Sequence, residues 1–348
     1  MRVSDFSPLA WDGDAVIYID QRELPARVVH RRAATTGEVV EAIATLAVRG
    51  APLLGAFGAY GVALAAADGT SGQALREQAL RIRAARPTAV NLMWAVDRML
   101  EAAEAGAGSA ALLAQAQAIH RETRETDARM AAFGAELLPA QGAILTHCNT
   151  GPLATGGAGT ALGAIIAAHR AGKRLHVYVD ETRPLLQGAR LTTFELRQAG
   201  VPATLIVDGA AAATLRDKNV QAVLVGADRI ARNGDTANKI GTYGLAVAAA
   251  HHGIPFYVVA PRATFDFTLA SGDAIPIEER AHDEVRALGG KATAPADMDV
   301  YNPAFDVTPG HLLTAIVTEY GVLQPPYLES IATLELRPRL LPRAEEVG

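Results

Sequence analysis

The sequence predicts an α/β protein whose N-terminal part is mainly helical and whose C-terminal part contains a parallel, doubly wound sheet. Helical patterns follow one another from about Thr36 to residue 138, and no clear strand pattern interrupts them. Beyond Pro139, short apolar runs alternate with helical stretches across short links, as in parallel α/β sheets. We therefore predict two domains, at residues 1–130 and 131–348.

The N-terminal part begins with a predicted hairpin, because two apolar runs, at 9–11 and 15–19, flank the turn signal Asp12-Gly13. Thr36 is the expected N-cap of the first helix. The other predicted helices of this part cover about 53–67, 71–84, 88–105 and 110–138.

Five apolar runs in the C-terminal part are predicted strands, with helical stretches among them. The strands are expected at 143–145, 175–179, 204–207, 222–225 and 256–259, and the helices include 158–171 and 192–199. The stretch 308–320 is predicted to be one more helix that begins beside Pro309, and a charged tail follows Pro338.

Composition excludes several classes of protein. Half of the 348 residues are hydrophobic, which is ample for two cores. The net charge is −5, and no run of five Lys or Arg residues indicates a nucleic-acid groove. The apolar stretch 53–67 is too short to span a bilayer. No signal-peptide pattern follows Met1, and this feature together with a single cysteine favours the cytoplasm.

That cysteine, Cys148, follows the predicted strand 143–145 in the segment Thr146–Gly151. A lone thiol cannot form an intrachain disulfide. It is either an inert buried side chain or a reactive group at the carboxyl end of a strand. Its position alone leaves both interpretations open.

A candidate acid, Asp228, follows the predicted strand 222–225. Partial burial there would raise its pKa and let it hold a proton near neutral pH. Asn238 and Lys239 are predicted to open a helix, where an amide and an ammonium group can meet an anionic or hydroxylated ligand. A surface turn with a helix cap is the alternative interpretation.

Two turns of the N-terminal part contain arginines that suit a phosphate. Arg49–Pro52 joins two helical patterns, and free N–H groups at a helix N-terminus beside an arginine can bind phosphate. Arg86 precedes Pro87, and Thr88 can cap the next helix. Ordinary capped turns with solvent-exposed arginines are the alternative in both cases.

Two loops of the C-terminal part have further polar patterns. The glycine-rich turn Thr155–Thr160, with Asp180 after the next strand, is similar to a dinucleotide site, but it lies about ten residues beyond its strand. The loop 180–190 contains two acids, two arginines and Gln187, so it is either a site or a solvated loop with local ion pairs. No spacing of His, Cys and Asp indicates a metal site, and no cofactor is expected.

Together these motifs resemble the 5-methylthioribose-1-phosphate isomerase family, from the hairpin to about Leu336. The segments that carry the resemblance are Arg49–Pro52, Arg86–Thr88, Thr146–Gly151, Glu181–Pro184, Gln187-Gly188, Gly226–Asp228, Asn238-Lys239 and Asn302–Asp306. Regulatory subunits of the eukaryotic initiation-factor exchange complex share segments similar to Glu181–Pro184.

The resemblance implies an N-terminal helical domain with a small β element, a Rossmann-like C-terminal domain and a homodimer. It implies conversion of 5-methylthioribose 1-phosphate into 5-methylthioribulose 1-phosphate, in methionine salvage. The family's catalytic residues fall on Cys148 and Asp228. Its substrate-binding residues fall on Arg49, Gly50, Ala51, Arg86, Gln187, Asn238 and Lys239.

In that reaction the C1 phosphate prevents a free aldehyde, so the ring must open before hydrogen moves from C2 to C1. Asp228 is the expected general acid, and Cys148 is the expected base or polar stabiliser at the reacting carbons. One alternative is an isomerase of 5-deoxyribose 1-phosphate or ribose 1,5-bisphosphate. Others are a non-catalytic regulatory subunit of the exchange-factor type and a nicotinamide dehydrogenase.

Overall fold

The computed structural model describes residues 7–86 and 89–337, so the predicted Thr88 cap and the charged tail lie outside the described residues. The chain divides into two compact units. Within the described residues, the first unit contains the positions up to Ala128 together with Gly151–Gly159. The second unit contains Arg129–Thr150 and the positions from Thr160 onward.

The first unit begins with a three-stranded antiparallel sheet. Strand β1 (Leu9–Asp12) pairs with β2 (Ala15–Ile19), which confirms the predicted hairpin. A third strand, β3 (His30–Ala33), pairs with the other edge of β2. Sequence patterns did not indicate β3, because only Ala33 of its four residues is buried.

The helices of the first unit are α1 (Thr36–Ala44), α2 (Ala51–Ala67), α3 (Gly72–Ala84), α4 (Val90–Glu104), α5 (Ser109–Leu137), which continues into the second unit, and the single turn α6 (Pro152–Thr155). All of them except α6 lie close to predicted helices, and the sequence did not predict α6. The N-cap of α1 is Thr35 and not the predicted Thr36. The Thr35 hydroxyl accepts the Glu38 N–H, and the Glu38 carboxylate accepts the Thr35 N–H, so this reciprocal pair sets the first residue of the helix.

Helix α2 forms the centre of the first core and is buried along nearly its whole length. A Cβ atom on Gly58 would lie 2.4 Å from Leu92 Cδ1, so glycine here lets α2 and α4 pack closely. A helix that is apolar on every side is typical of a buried core position. None of the helices in the described residues combines the length and apolar character needed to cross a membrane.

The second unit contains most of the strands. They are β4 (Gln141–Thr146), β5 (Arg174–Asp180), β6 (Ala203–Ile206), β7 (Val220–Val225), β8 (Arg229–Ile230), β9 (Thr236–Lys239), β10 (Phe256–Val259), β11 (Ala287–Leu288), β12 (Lys291–Ala292), β13 (Phe305–Thr308), β14 (Ala315–Thr318) and β15 (Gly321–Leu323). Its further helices are α7 (Ala161–Arg170), α8 (Thr193–Ala199), α9 (Ala211–Asp217), α10 (Thr242–His251), α11 (Asp283–Arg286) and α12 (Tyr327–Glu335).

Seven of these strands form one sheet in the order β15-β14-β10-β7-β4-β5-β6. All the pairings are parallel except that of the edge strand β15. The predicted fold class, a helical N-terminal part followed by a mostly parallel α/β sheet, is confirmed. The chain moves outward from β4 in both directions, so the strand order reverses between β4 and β7. In open α/β sheets, ligands bind beyond the carboxyl ends of the strands at such a switch point.

Two predictions for the C-terminal part are wrong. The stretch 308–320 contains the end of β13 and all of β14, because Pro309-Gly310 interrupts any helix and the β-branched Ile316 and Val317 pair with β10. Asn238 and Lys239 do not open a helix. They end strand β9, and α10 begins at Thr242, after Gly241 turns the chain with a φ of +105°.

Candidate active site

Cys148 and Asp228 follow the two strands that flank the switch point. Strand β4 ends at Thr146 and β7 ends at Val225, and these strands are parallel neighbours. Both side chains therefore belong to turns beyond the same edge of the sheet, as the sequence predicted. The turns also approach each other, because a Cβ atom on Gly226 would lie 2.8 Å from Thr150 Cγ2.

The main chain at Cys148 is held on both sides. Its N–H donates to Thr182 Oγ1 at 2.9 Å, and its carbonyl accepts a hydrogen bond from the Thr192 hydroxyl at 2.6 Å. Cys148 is half-buried and has a φ of +64°, a conformation that is uncommon for a residue with a side chain. The surrounding hydrogen bonds therefore maintain a turn that Cys148 alone does not favour.

The next residue, Asn149, extends this network into the core. Its side-chain amide donates to Thr192 Oγ1 at 3.1 Å and also to the carboxylate of Glu195, which is buried. A five-residue π-helical turn, Gly188–Thr192, brings Thr192 to this position just before α8. Such turns are rare and often occur at functional sites.

A buried histidine and aspartate lie directly behind the Cys148 turn. His147 Nδ1 is 2.9 Å from Asp180 Oδ2, and His147 Nε2 donates to the carbonyl of Ile240 at 2.9 Å. A carbonyl can only accept, so Nε2 carries a hydrogen. Desolvation by itself lowers the pKa of His147, but the hydrogen bond and the charge of Asp180 outweigh it, so the pKa is raised. Burial raises the pKa of Asp180, and the hydrogen bond and charge of His147 oppose this effect.

Asp208 completes a group of three side chains whose ligand atoms lie within 4.8 Å of one another, close enough to surround a cation. Hydrogen bonds already account for this arrangement. The Asp208 carboxylate accepts the N–H groups of Thr182 and Arg183, each at 2.7 Å, and His147 Nδ1 faces Asp180. We therefore assign the group to fixing the loop after β5.

Two buried acceptor atoms, one at the end of β5 and one in the loop that follows it, have no hydrogen-bond partner among the described residues. They are Asp180 Oδ1 and Gln187 Oε1, in side chains whose residues are only 2% and 6% exposed. Buried oxygens almost always accept a hydrogen bond. Hydroxyl groups of a bound ligand could supply such donors, which fits the predicted binding role of Gln187.

Asp228 is exposed, so the predicted partial burial is wrong. After β7 the chain leaves the main sheet, and the Asp228 N–H donates to the Ala237 carbonyl at 2.9 Å at the start of the β8–β9 pairing. Strand β8 belongs to a small antiparallel sheet with β9 and β13. Asp228 therefore lies outside the core of the main sheet, and not in the partly buried position that the sequence predicted.

The Lys239 side chain is held by the segment around β13, and the Asn238 side chain by the start of α10. Lys239 Nζ donates to the Ala304 carbonyl at 2.8 Å and lies 4.4 Å from the centre of the Phe305 ring. The buried Asn238 amide donates to Thr242 Oγ1 at 3.0 Å. The motif Asn302–Asp306 thus supports the turn between β9 and α10, a role that its sequence did not reveal.

In the first unit, the Arg49 turn packs against the segment that contains α6. Arg49 Nε donates to Gln21 Oε1 at 2.9 Å, and the Gln21 amide donates to the Leu153 carbonyl at 2.8 Å. A Cβ atom on Gly50 would lie 2.3 Å from the Ala154 carbonyl oxygen, so only glycine fits there. Ala51 is the first residue of α2. Sequence patterns did not identify Gln21, because its partner lies 132 residues away.

The remaining predicted positions of the first unit have simpler environments. Arg86 is half-buried just after α3. The glycine-rich turn follows α6 instead of a strand, and the Asp127 carboxylate accepts the Gly159 N–H at 3.0 Å. A phosphate would need such N–H groups, so the turn does not support the dinucleotide interpretation.

The mostly parallel sheet, with a thiol and a carboxyl group beyond the two strands at its switch point, defines an α/β protein of the open, doubly wound class, in which small ligands typically bind at that edge. Comparison with known proteins makes the assignment more specific. The chain belongs to the initiation factor 2 subunit family, which matches residues 47–325. The family resemblance seen in the sequence is confirmed by relatives named methylthioribose-1-phosphate isomerase. One, from Pelotomaculum thermopropionicum, is 52% identical over 93% of this chain and 92% of the relative.

Solved structures show the same fold under two names. The 5-methylthioribose 1-phosphate isomerase from Pyrococcus horikoshii OT3 is 41% identical, with a TM-score of 0.90 over 96% of this chain and 99% of that chain. The translation initiation factor eIF-2B subunit delta from A. fulgidus is 42% identical, with a TM-score of 0.85 over 95% of this chain and 99% of that chain. Fold similarity alone does not separate the two names, so the residues of the site must do so.

Proposed function

We propose that this protein isomerises 5-methylthioribose 1-phosphate to 5-methylthioribulose 1-phosphate, as a step of methionine salvage. The observation that carries the proposal is the position of Cys148 and Asp228 beyond the two strands at the switch point. A regulatory subunit has no need for a thiol and an acid in this arrangement. Relatives with about 50% sequence identity bear the name of this isomerase, which supports the same conclusion.

Several charged and amide groups of the chain suit a phosphorylated, hydroxylated ligand. We assign Lys239, Arg49 and Arg86 to binding of the sugar phosphate, together with the first N–H groups of α2 at Gly50-Ala51. Gln187 and Asn238 are assigned to sugar hydroxyls. The buried Gln187 Oε1 supports this assignment, because no residue in the described part of the chain gives it a hydrogen bond.

Asp228 is the proposed general acid. Its carboxyl proton passes to the ring oxygen as the bond between that oxygen and C1 breaks. In the hydride route, hydrogen moves from C2 to C1 with its electron pair, and the C2 hydroxyl proton returns to the Asp228 carboxylate, so the atoms balance. Because Asp228 is exposed, this role requires bound substrate to shield the carboxyl group from water.

Cys148 is the proposed group at the reacting carbons. In a hydride route it acts as a polar stabiliser beside C1 and C2. In an enediol route its thiolate removes the C2 proton and the resulting thiol returns a proton to C1. Isomerisation in deuterated water separates the routes: deuterium at C1 of the product excludes a purely direct hydride shift, and its absence supports one.

Turnover of three sugars tests the proposal. The purified chain should isomerise 5-methylthioribose 1-phosphate with a higher kcat/KM than 5-deoxyribose 1-phosphate or ribose 1,5-bisphosphate. A preference for the bisphosphate would assign the protein to a sister isomerase. Absence of turnover with all three would support the regulatory interpretation, and binding of NAD in a titration would support the dehydrogenase interpretation.

We further propose that the chain forms a homodimer in the cytoplasm, as the family resemblance implies. Sedimentation of the purified 36.4 kDa chain tests the first part. A species of twice that mass is expected, and a stable monomer at micromolar concentration would contradict it.

A further inference from the structure

One imidazole ring joins the turn of Cys148 to the turn of Lys239. His147 immediately precedes Cys148, and its Nε2 donates to the carbonyl of Ile240, the residue that immediately follows Lys239. The two hydrogen-bonded residues are 93 positions apart in the chain. The ring is buried, so water does not compete for this bond.

The turn that receives this hydrogen bond has little freedom to move away. A Cβ atom on Gly241 would lie 2.9 Å from His147 Cε1, so the turn packs directly on the imidazole. On its other side, the Asp306 carboxylate accepts the N–H groups of Gly241 and Tyr243, at 2.8 and 3.1 Å. The turn is therefore held between the ring and strand β13.

The other side of the ring is fixed to the end of β5. His147 Nδ1 contacts Asp180 Oδ2, and the Asp180 carbonyl accepts the Thr182 hydroxyl at 3.2 Å. That hydroxyl oxygen in turn accepts the Cys148 N–H. Three hydrogen bonds thus link His147 to Asp180, Asp180 to Thr182 and Thr182 to Cys148, and the peptide bond between His147 and Cys148 closes the ring.

We propose that His147 is a positioning residue, which sets the distance between the Cys148 thiol and the Lys239 ammonium group through its two ring nitrogens. The inference rests on the proposed isomerase function. A sugar whose phosphate is bound by Lys239 must present C1 and C2 to Cys148. Displacement of reacting groups by about 1 Å can reduce turnover on the order of 100-fold.

Two amide substitutions separate the functions of the two ring nitrogens. His147→Asn places its amide where Nδ1 lies, so it keeps a donor to Asp180 but does not reach the Ile240 carbonyl. His147→Gln places its amide where Nε2 lies, so it keeps the bond to Ile240. We expect kcat to fall about 100-fold in His147→Asn, and we expect His147→Gln to recover most of that loss.

Val258→Ala in the central strand β10 is the control for stability, because Val258 is fully buried and lies outside the site. It should lower the Tm while kcat and KM remain those of the wild type. The inference is overturned if both His147 variants retain wild-type kcat and KM, or if Asn and Gln lose turnover equally. Failure of the proposed function itself is distinguishable, because the wild-type chain would then show no turnover.

Discussion

Two carboxyl groups follow parallel strands at the same edge of one sheet, and their surroundings are opposite. Asp180 ends β5, is 2% exposed and contacts His147, whereas Asp228 follows β7 and is exposed. Both positions suit a catalytic acid by strand order alone. We propose a division of roles on this basis: the buried acid holds the framework of the site, and the accessible acid exchanges protons with the ligand.

The largest expected effect comes from removing the accessible acid. Asp228→Asn should reduce kcat by about 10²–10⁴-fold, because general acid catalysis typically contributes that much. The fold should be unchanged, since an exposed side chain contributes little to the core. Steady-state kinetics and circular dichroism measure both quantities.

Asp217→Asn is the matched control for this substitution, because Asp217 is also exposed but pairs with Arg216 at the end of α9. It should leave kcat unchanged. Near-normal turnover of Asp228→Asn would remove the proposed role of the accessible acid and end the contrast with Asp180.

Cys148→Ser tests the group that lies beside the buried pair. Serine retains the size and the main-chain hydrogen bonds to Thr182 and Thr192, but it loses the thiol. We expect kcat to fall about 100-fold, with little change in the Tm, because the residue is only half-buried. A variant as active as the wild type would show that the thiol is a passive side chain in a strained turn.

Lys239→Ala should separate binding from chemistry at this edge of the sheet. A charge-assisted hydrogen bond to phosphate contributes about 1.5–3 kcal/mol, so KM should rise about 10- to 100-fold. The kcat should change much less. Lys218→Ala, at an exposed position just after α9, provides the control. A larger loss in kcat than in KM would instead give Lys239 a part in the chemical step.

The smallest expected effect is on stability and concerns a third acid, Asp20. It is buried like Asp180, but its pKa is shifted in the opposite direction. Asp20 is fully buried, but hydrogen bonds from Arg22 and Arg31 outweigh the desolvation and lower its pKa to about 2. Its folded-state pKa lies below the usual 3.8, so its stabilisation is present above that pH and is lost as the pH falls toward 2. Because both arginines are partly exposed, we expect it to contribute about 1–2 kcal/mol at pH 7.

Denaturant unfolding of Asp20→Asn and the wild type checks this expectation. The difference in the free energy of unfolding should be largest at pH 7 and roughly half as large at pH 3. A difference that does not depend on pH would mean that the asparagine loses packing or neutral hydrogen bonds instead of an ionic interaction.

Much of the fold followed from local sequence patterns. The hairpin turn Asp12-Gly13, the Pro52 at the start of α2 and the apolar runs of β4, β5, β7 and β10 are signals that depend only on neighbouring residues. The helix predicted at 308–320 was wrong because it also relied on a local pattern alone. An apolar run shows burial, but whether Ile316 and Val317 extend as a strand depends on the edge that β10 offers them.

The residues of the candidate site also fall into two groups: those that local sequence patterns indicated, and those that only the fold brought together. Cys148 and Asp228 could be proposed as site residues because each follows an apolar run, where α/β sheets place their chemistry. The His147–Asp180 contact joins residues 33 positions apart, and in the sequence Asp180 appeared only as part of a pattern similar to a dinucleotide site and as one acid of the loop 180–190. No local pattern indicates such a partner.

By itself, the sequence determined where the long helices of the first unit and the central strands of the main sheet lie, and which side chains have reactive or charged groups. Caps, turns and periodicity act over a few residues, so they can be read locally. Only the tertiary structure decided that β7 lies next to β4, that Asp180 is buried while Asp228 is exposed, and that His147 joins two distant turns. Burial and hydrogen-bond partners arise from segments far apart in the chain, so the environment that sets each group's chemistry exists only after folding.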